Sequence, residues 1–162
     1  DYHKLNQVVT AIAAAVPDVV YYIEQINTSP GTWYAAIYSV NTFFSIPVHG
    51  PPEAICLQLQ SQQYTFTVLT QGYINSPVLH HNLIWRELDC CSLPQYITLV
   101  HYIDDIMLIQ SSKQEVANIL DLLVRHLCAR GCKMNLTKIQ GTSTSVKCLD
   151  VQWCGACRGI PS

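Results

Sequence analysis

The chain has 162 residues, enough for one domain or a piece of a larger one, and 49% of them are hydrophobic against 12% charged. A charged fraction about half the globular average of ~25% points either to surface covered by something outside this sequence or to substitutions that no longer serve solubility. Net charge is −2. Residues 1–112 hold two bases and eight acids, residues 113–162 seven bases and three acids. That balance lacks the basic face of a chain that grips nucleic acid unaided. No apolar run approaches the ~20 residues of a membrane span and no signal peptide opens the chain, so an intracellular protein without a membrane partner is expected. The first residue is Asp1 rather than methionine, as expected of a fragment.

Taken in order, residues 2–16 are mixed, with a small-residue run before Pro17-Asp18. That pair predicts a helix over Val19–Ile26, with Val19, Ile23 and Ile26 on one face, stopped by Asn27-Thr28-Ser29-Pro30-Gly31. Trp33–Ile37 reads as a strand and Phe43–Val48 as its continuation or the next turn. After Gly50-Pro51-Pro52, a hairpin is expected over Ala54–Val68, bending at Gln60-Ser61-Gln62. Ser76-Pro77 predicts a helix, Ser76 as N-cap, with Leu79 and Leu83 following helical spacing. His80-His81 then fall on that helix as partly exposed residues, not as a metal pair, because no second histidine recurs four residues on.

Thr98–Ile109 is two β-prone apolar runs around Asp104-Asp105, which predicts a hairpin with the acids at or beside its bend. Asp favours turns, which accounts for one of them. Two adjacent ionised carboxylates repel and are costly beside apolar strands, and hard oxygen ligands at that spacing suit Mg²⁺ or Mn²⁺. Turn chemistry and a cation site both remain open from these residues alone. Ser112-x-x-Glu115 is a capping box before an apolar stripe of Val116, Ile119, Leu120, Leu123 and Leu127, with Gly131 at the far end. Short strands are expected over Val146–Trp153, with Lys138 in the connection. Of eight cysteines, Cys154/Cys157 and Cys128/Cys132 have pair spacing, but neither matches a zinc ribbon, so free thiols are expected. The order of elements predicts an α+β layer, an antiparallel sheet with helices packed on one face.

Three stretches occur together in order: Phe43-Phe44-Ser45-Ile46-Pro47, then Leu69-Thr70-Gln71-Gly72 with Asn75-Ser76-Pro77, then Tyr102-Ile103-Asp104-Asp105. With them the chain resembles the palm and adjoining fingers of retroviral reverse transcriptases, most closely the Pol proteins of endogenous retroviruses. The resemblance covers essentially residues 1–162 as a single partial domain, without thumb, connection or RNase H, in a truncated right-hand polymerase fold. It implies two-metal, template-directed nucleotide transfer onto a primer, with an RNA/DNA template-primer, dNTP and Mg²⁺ or Mn²⁺ as partners. Asp104 and Asp105 match the paired metal aspartates. Phe43, Gln71 and Tyr102 match nucleotide-binding positions, Phe43 being the aromatic that blocks a ribose 2′-OH. Lys138 matches a lysine near the pyrophosphate, a general acid.

Departures from the family pattern fall on the same machinery. The third metal aspartate is Tyr38, a phenol with pKa about 10 and a poor Mg²⁺ ligand at neutral pH. Asn41, the nearest alternative, is neutral. The run Asp1-Tyr2-His3-Lys4-Leu5-Asn6 has His3 where the family has a triphosphate-gripping arginine. Thr70 replaces a proline, Asp150 replaces a glycine of the primer-contacting hairpin, and the Gly50-Pro51-Pro52 region is one residue short. A catalytically impaired polymerase remnant is the expectation. The alternative is a non-catalytic module that binds nucleic acid, a protein partner or the missing Pol regions.

Overall fold

The computed structural model describes residues 2–12, 18–26, 29–39, 56–59, 61–65, 67–155 and 157–159. Phe43, Asn41 and the Gly50-Pro51-Pro52 region lie outside them.

The centre is a four-stranded antiparallel sheet in the order β4-β5-β1-β6, formed by β1 (Trp33–Tyr38), β4 (Thr98–Tyr102), β5 (Asp105–Gln110) and β6 (Gln140–Ser143). Strands β1 and β5 pair from Trp33↔Gln110 to Tyr38↔Asp105. Both are interior strands covered on two faces, which is why their apolar runs are continuous rather than alternating with polar residues. Alternate residues divide between two cores. Ala35, Ile37, Ile106 and Leu108 face one, and Tyr34, Ala36, Met107 and Ile109 face the other.

Two long helices cover the first face. In α3 (Ser76–Cys90), Ile84 and Leu88 reach the core; in α4 (Lys113–Ala129), Val116, Ile119, Leu123 and Leu127 do. The α4 stripe is the one its periodicity predicts. Ser112 caps it by accepting from the Glu115 N–H at 3.4 Å, and Gly131 follows the C-terminus at φ 83, a conformation that suits a residue without Cβ. Glu87 of α3 receives Arg130 at 2.6 Å and ties the two helices together.

The second face is covered by a three-stranded sheet, β7 (Ser145–Cys148), β8 (Val151–Cys154) and β9 (Cys157–Gly159), through Val146, Cys148 and Trp153. Ile23 of α2 (Val19–Gln25) and Ile26 just beyond it join this core, α2 being capped by Asp18. A separate hairpin pairs β2 (Cys56–Leu59) with β3 (Gln62–Thr65).

Three expectations need correction. His3–Val8 forms a short helix, α1, that sequence periodicity did not indicate. The N-cap of α3 is Asn75, not Ser76, and its side chain makes no capping bond. Instead Asn75 Oδ1 accepts from the Ile12 N–H at 2.9 Å, so tertiary contact with the N-terminal segment overrides local capping. Ser76 Oγ donates to the Thr70 carbonyl at 2.7 Å. The buried face of α3 is His80, Ile84 and Leu88, about one residue round from Leu79 and Leu83, and Leu79 is exposed. His80 and His81 are therefore buried, not partly exposed. The Cys128/Cys132 pair lies at the end of α4, whereas Cys154 and Cys157 close the β8–β9 hairpin, whose sheet covers the opposite face.

Candidate active site

The site stands where β1 ends beside the β4–β5 turn. Tyr102 and Asp105 are register partners, so Ile103 and Asp104 form a two-residue turn. On the other side of β5, Tyr38 is the register partner of Asp105. The two carboxylates are thus carried on two elements whose backbones are fixed by the same central sheet.

Asp104 is half-exposed and held from β1. The Ser39 N–H donates to its carbonyl at 3.0 Å, and Ser39 Oγ donates to its Oδ1 at 3.2 Å. Nδ1 of His80, fully buried on α3, lies 3.5 Å from the same Oδ1. Asp105 is more enclosed. Its Oδ2 accepts from the Leu149 N–H at 3.3 Å, the first residue of the β7–β8 turn. Burial raises its pKa, the Leu149 bond lowers it, and the neighbouring carboxylates of Asp104 and Asp150 raise it further. The β7–β8 turn is closed by Cys148↔Val151, with Leu149 and Asp150 both at φ 56, the geometry of a tight hairpin turn that favours Gly or Asn.

Tyr38 shares a sheet face with its register partner Asp105, and its hydroxyl is engaged by the neighbouring strands. Its hydroxyl donates to the Lys147 carbonyl and accepts from Gln140 Nε2 at 2.7 Å. Gln140 completes the junction by accepting from the Lys147 N–H at 2.8 Å. Burial first, then Cys148 and Asp105, push the phenol pKa above its ordinary value, so it stays protonated at neutral pH. A neutral phenol tied to two other strands is a structural donor, not a third oxyanion. Among the described residues no group of three or more His, Cys, Asp or Glu side chains is arranged to hold a metal ion. Asp104 and Asp105 are the residues here whose carboxylate oxygens could contribute to holding a hard divalent cation.

Lys138 ends a 3-10 helix, Leu136–Lys138. That turn is anchored to the end of β1 by the Asn135 N–H on the Tyr38 carbonyl, 3.2 Å, and by pairing of Ser39 with Met134. Gln71 is exposed in the turn before α3. Asn6 of α1 connects that turn to the N-terminal motif, donating to the Gly72 carbonyl at 2.7 Å and accepting from Ile74 at 3.0 Å. The structure thereby brings the His3-bearing helix and the Gln71 turn together. Phe43 lies outside the described residues. Sequence reasoning missed Ser39, Gln140 and the trio His80, His81 and His101; only the placement of His101 directly before Tyr102-Ile103-Asp104-Asp105 could have signalled it.

The reverse transcriptase (RNA-dependent DNA polymerase) family model matches residues 2–153. The chain belongs to the reverse transcriptase family. It is 28% identical over 144 residues to the Gag-Pol polyprotein of Walleye dermal sarcoma virus, covering 86% of this chain and 8% of that protein. It is 30% identical over 164 residues to the Pro-Pol polyprotein of Feline foamy virus, covering 99% of this chain and 13% of that one. To the Pol polyprotein of Feline endogenous virus ECE1 it is 27% identical over 155 residues, 90% of this chain and 15% of the relative. This reverse transcriptase domain thus spans a small part of these retroviral polyproteins.

Its fold matches the foamy viral protease-reverse transcriptase in complex with double-stranded DNA at TM-score 0.85 and 22% identity, over 100% of this chain and 28% of that one. The same viral enzyme in complex with an RNA/DNA hybrid matches at TM-score 0.83 and 22% identity, over 100% and 21%. These likenesses establish the α+β palm-type fold. No described helix is long and apolar enough to cross a membrane.

Proposed function

We propose that this chain is a remnant of an RNA-directed DNA polymerase domain that keeps the palm scaffold and is impaired in nucleotidyl transfer. One observation carries the proposal. Opposite Asp105 stands Tyr38, whose hydroxyl is engaged by Lys147 and Gln140. The cluster thus offers two carboxylates where two-metal transfer uses more. When bound, Mg²⁺ or Mn²⁺ supplies charge stabilisation of the attacking and leaving oxygens.

In this proposal Asp104 and Asp105 hold the cation, weakly. Ser39 orients the Asp104 carboxylate, and Leu149 orients that of Asp105. Burial raises the Asp105 pKa, and an adjacent cation would favour its ionised form. Gln71, Tyr102 and Phe43 serve in dNTP binding, Lys138 donates a proton toward the leaving pyrophosphate, and an RNA/DNA template-primer is the polymeric partner. Asp150 brings a negative charge to the hairpin beside Asp105, which opposes a phosphodiester passing there.

Primer extension on an RNA template with Mg²⁺ or Mn²⁺ tests this. The expected result is no incorporation above that of an Asp104→Asn variant, with incorporation gained in Tyr38→Asp. Robust extension by the unaltered chain, abolished by Asp104→Asn, overturns it. A second reading, a non-catalytic module binding nucleic acid or protein, is favoured by exposed apolar side chains on two helices, Val20 and Tyr21 on α2 and Leu122 on α4. Salt-dependent filter binding on an RNA/DNA hybrid, with gel filtration, separates the two.

A further inference from the structure

Ile103, in the turn before Asp104, sits at φ 50. The two-residue turn closed by Tyr102↔Asp105 requires positive φ at this position, and a β-branched side chain is strained there, so contacts that hold the Ile103 peptide support the turn. Two histidines take hold of its backbone. The Ile103 N–H donates to Nδ1 of His81, on α3, at 3.2 Å. The Ile103 carbonyl accepts from Nε2 of His101, on β4, at 3.1 Å. The rings stack with centroids 4.4 Å apart and planes 8° apart, and Trp85 stacks on His101 at 6.2 Å and 20°.

The partners dictate the tautomers. An amide N–H only donates, so His81 Nδ1 is bare; a carbonyl only accepts, so His101 Nε2 carries the proton. His101 Nδ1 is buried with no hydrogen-bond partner among the described residues, as a bare acceptor tolerates better than an unmatched N–H. Burial lowers the pKa of both rings, which keeps them neutral as these contacts require.

We propose that His81 and His101 are positioning residues that clamp Ile103 by its N–H and its carbonyl, and thereby aim the Asp104 carboxylate. The proposal rests on the metal-site reading of Asp104 given above. Ser39 secures the Asp104 end of the turn, and the stacked histidines secure the Ile103 end. Both rings act on Asp104 through the Ile103 backbone. Released from the clamp, the Ile103 peptide is held by the hairpin closure alone, and the Asp104 carboxylate loses its fixed orientation relative to Asp105.

The test begins on the whole chain without metal. Long-range ¹H–¹⁵N correlation spectra at neutral pH should show both rings protonated at Nε2, and the Ile103 amide should exchange slowly. His81→Leu, which fills the space but cannot accept, should speed that exchange about tenfold or more. His81→Gln, which offers an acceptor, should restore protection. A ring protonated at Nδ1, or a folded His81→Leu with unchanged Ile103 exchange, overturns the clamp; if His81→Leu fails to fold, the wild-type tautomers and exchange rate decide. Calorimetric titration with Mn²⁺ then reads the aim of Asp104. Affinity should fall in His81→Leu and return in His81→Gln, and equal affinity in both overturns the aiming role. Absence of Mn²⁺ binding by the unaltered chain overturns the metal-site reading and with it the aiming of a ligand, while the spectra judge the clamp separately.

Discussion

The main-chain N–H of Leu149 donates to Oδ2 of Asp105 at 3.3 Å, joining the β7–β8 turn to the more enclosed of the two site carboxylates. The same turn holds two non-glycine residues at φ 56 and carries the Asp150 charge. Asp150→Gly removes backbone strain and a like charge while leaving the Leu149 N–H in place. It should stabilise the chain by about 1 kcal/mol, read from the urea midpoint. The Asp105 pKa, followed by carboxyl ¹³C shifts, should move down towards the ordinary range, since the Asp150 carboxylate is one of the groups raising it.

Tyr38 separates structural from catalytic loss. Tyr38→Phe removes the donor to Lys147 and the acceptor for Gln140. It should cost about 1–2 kcal/mol in urea unfolding and leave Mn²⁺ affinity unchanged. Tyr38→Asp should cost at least as much stability and yet bind Mn²⁺ about tenfold more tightly, because a third oxyanion joins the cluster. Equal Mn²⁺ affinity in the two variants would show that position 38 does not limit the site.

Acid should destabilise the fold through its buried imidazoles. Burial drives His101 from the ordinary 6.5 down to about 3, and shifts His80 and His81 in the same direction. The unfolded chain therefore binds more protons below pH 6.5, so stability falls as pH drops through the window from 6.5 towards 3. His101 alone should remove about 2 kcal/mol between neutral pH and pH 5. Asp105, with a raised pKa, acts in the opposite sense, its contribution being present at low pH and lost as pH rises. Urea midpoints across this range should show the net loss, and His101→Gln should flatten the slope.

The helical face of the sheet should be sensitive to cavities. Leu123 of α4 is fully buried against β-strand and α3 side chains. Leu123→Ala should cost about 3 kcal/mol of unfolding free energy. Ser112→Ala, which removes the cap on Glu115, should cost about 1 kcal/mol. Thermal or urea unfolding followed by far-ultraviolet circular dichroism measures both.

Local chemistry alone determined the elements with strong periodic or capping patterns. The α4 stripe from Val116 to Leu127, its Ser112 cap, the β-prone runs around Asp104-Asp105 and the Asp18-led helix each follow from residues close in sequence. Family membership was legible because three motifs stand in order along the chain. Tertiary structure decided everything that depends on residues far apart. It paired Tyr38 with Asp105 and directed the phenol to Lys147, 109 residues away. It rotated α3 so that His80 and His81 are buried, and it diverted Asn75 from capping to contacts near Ile12. The reason is physical: periodicity reports that a face is apolar, but a histidine or tyrosine has both an apolar body and polar atoms. Which of the two prevails is settled only when a distant backbone group arrives to accept or donate the hydrogen bond.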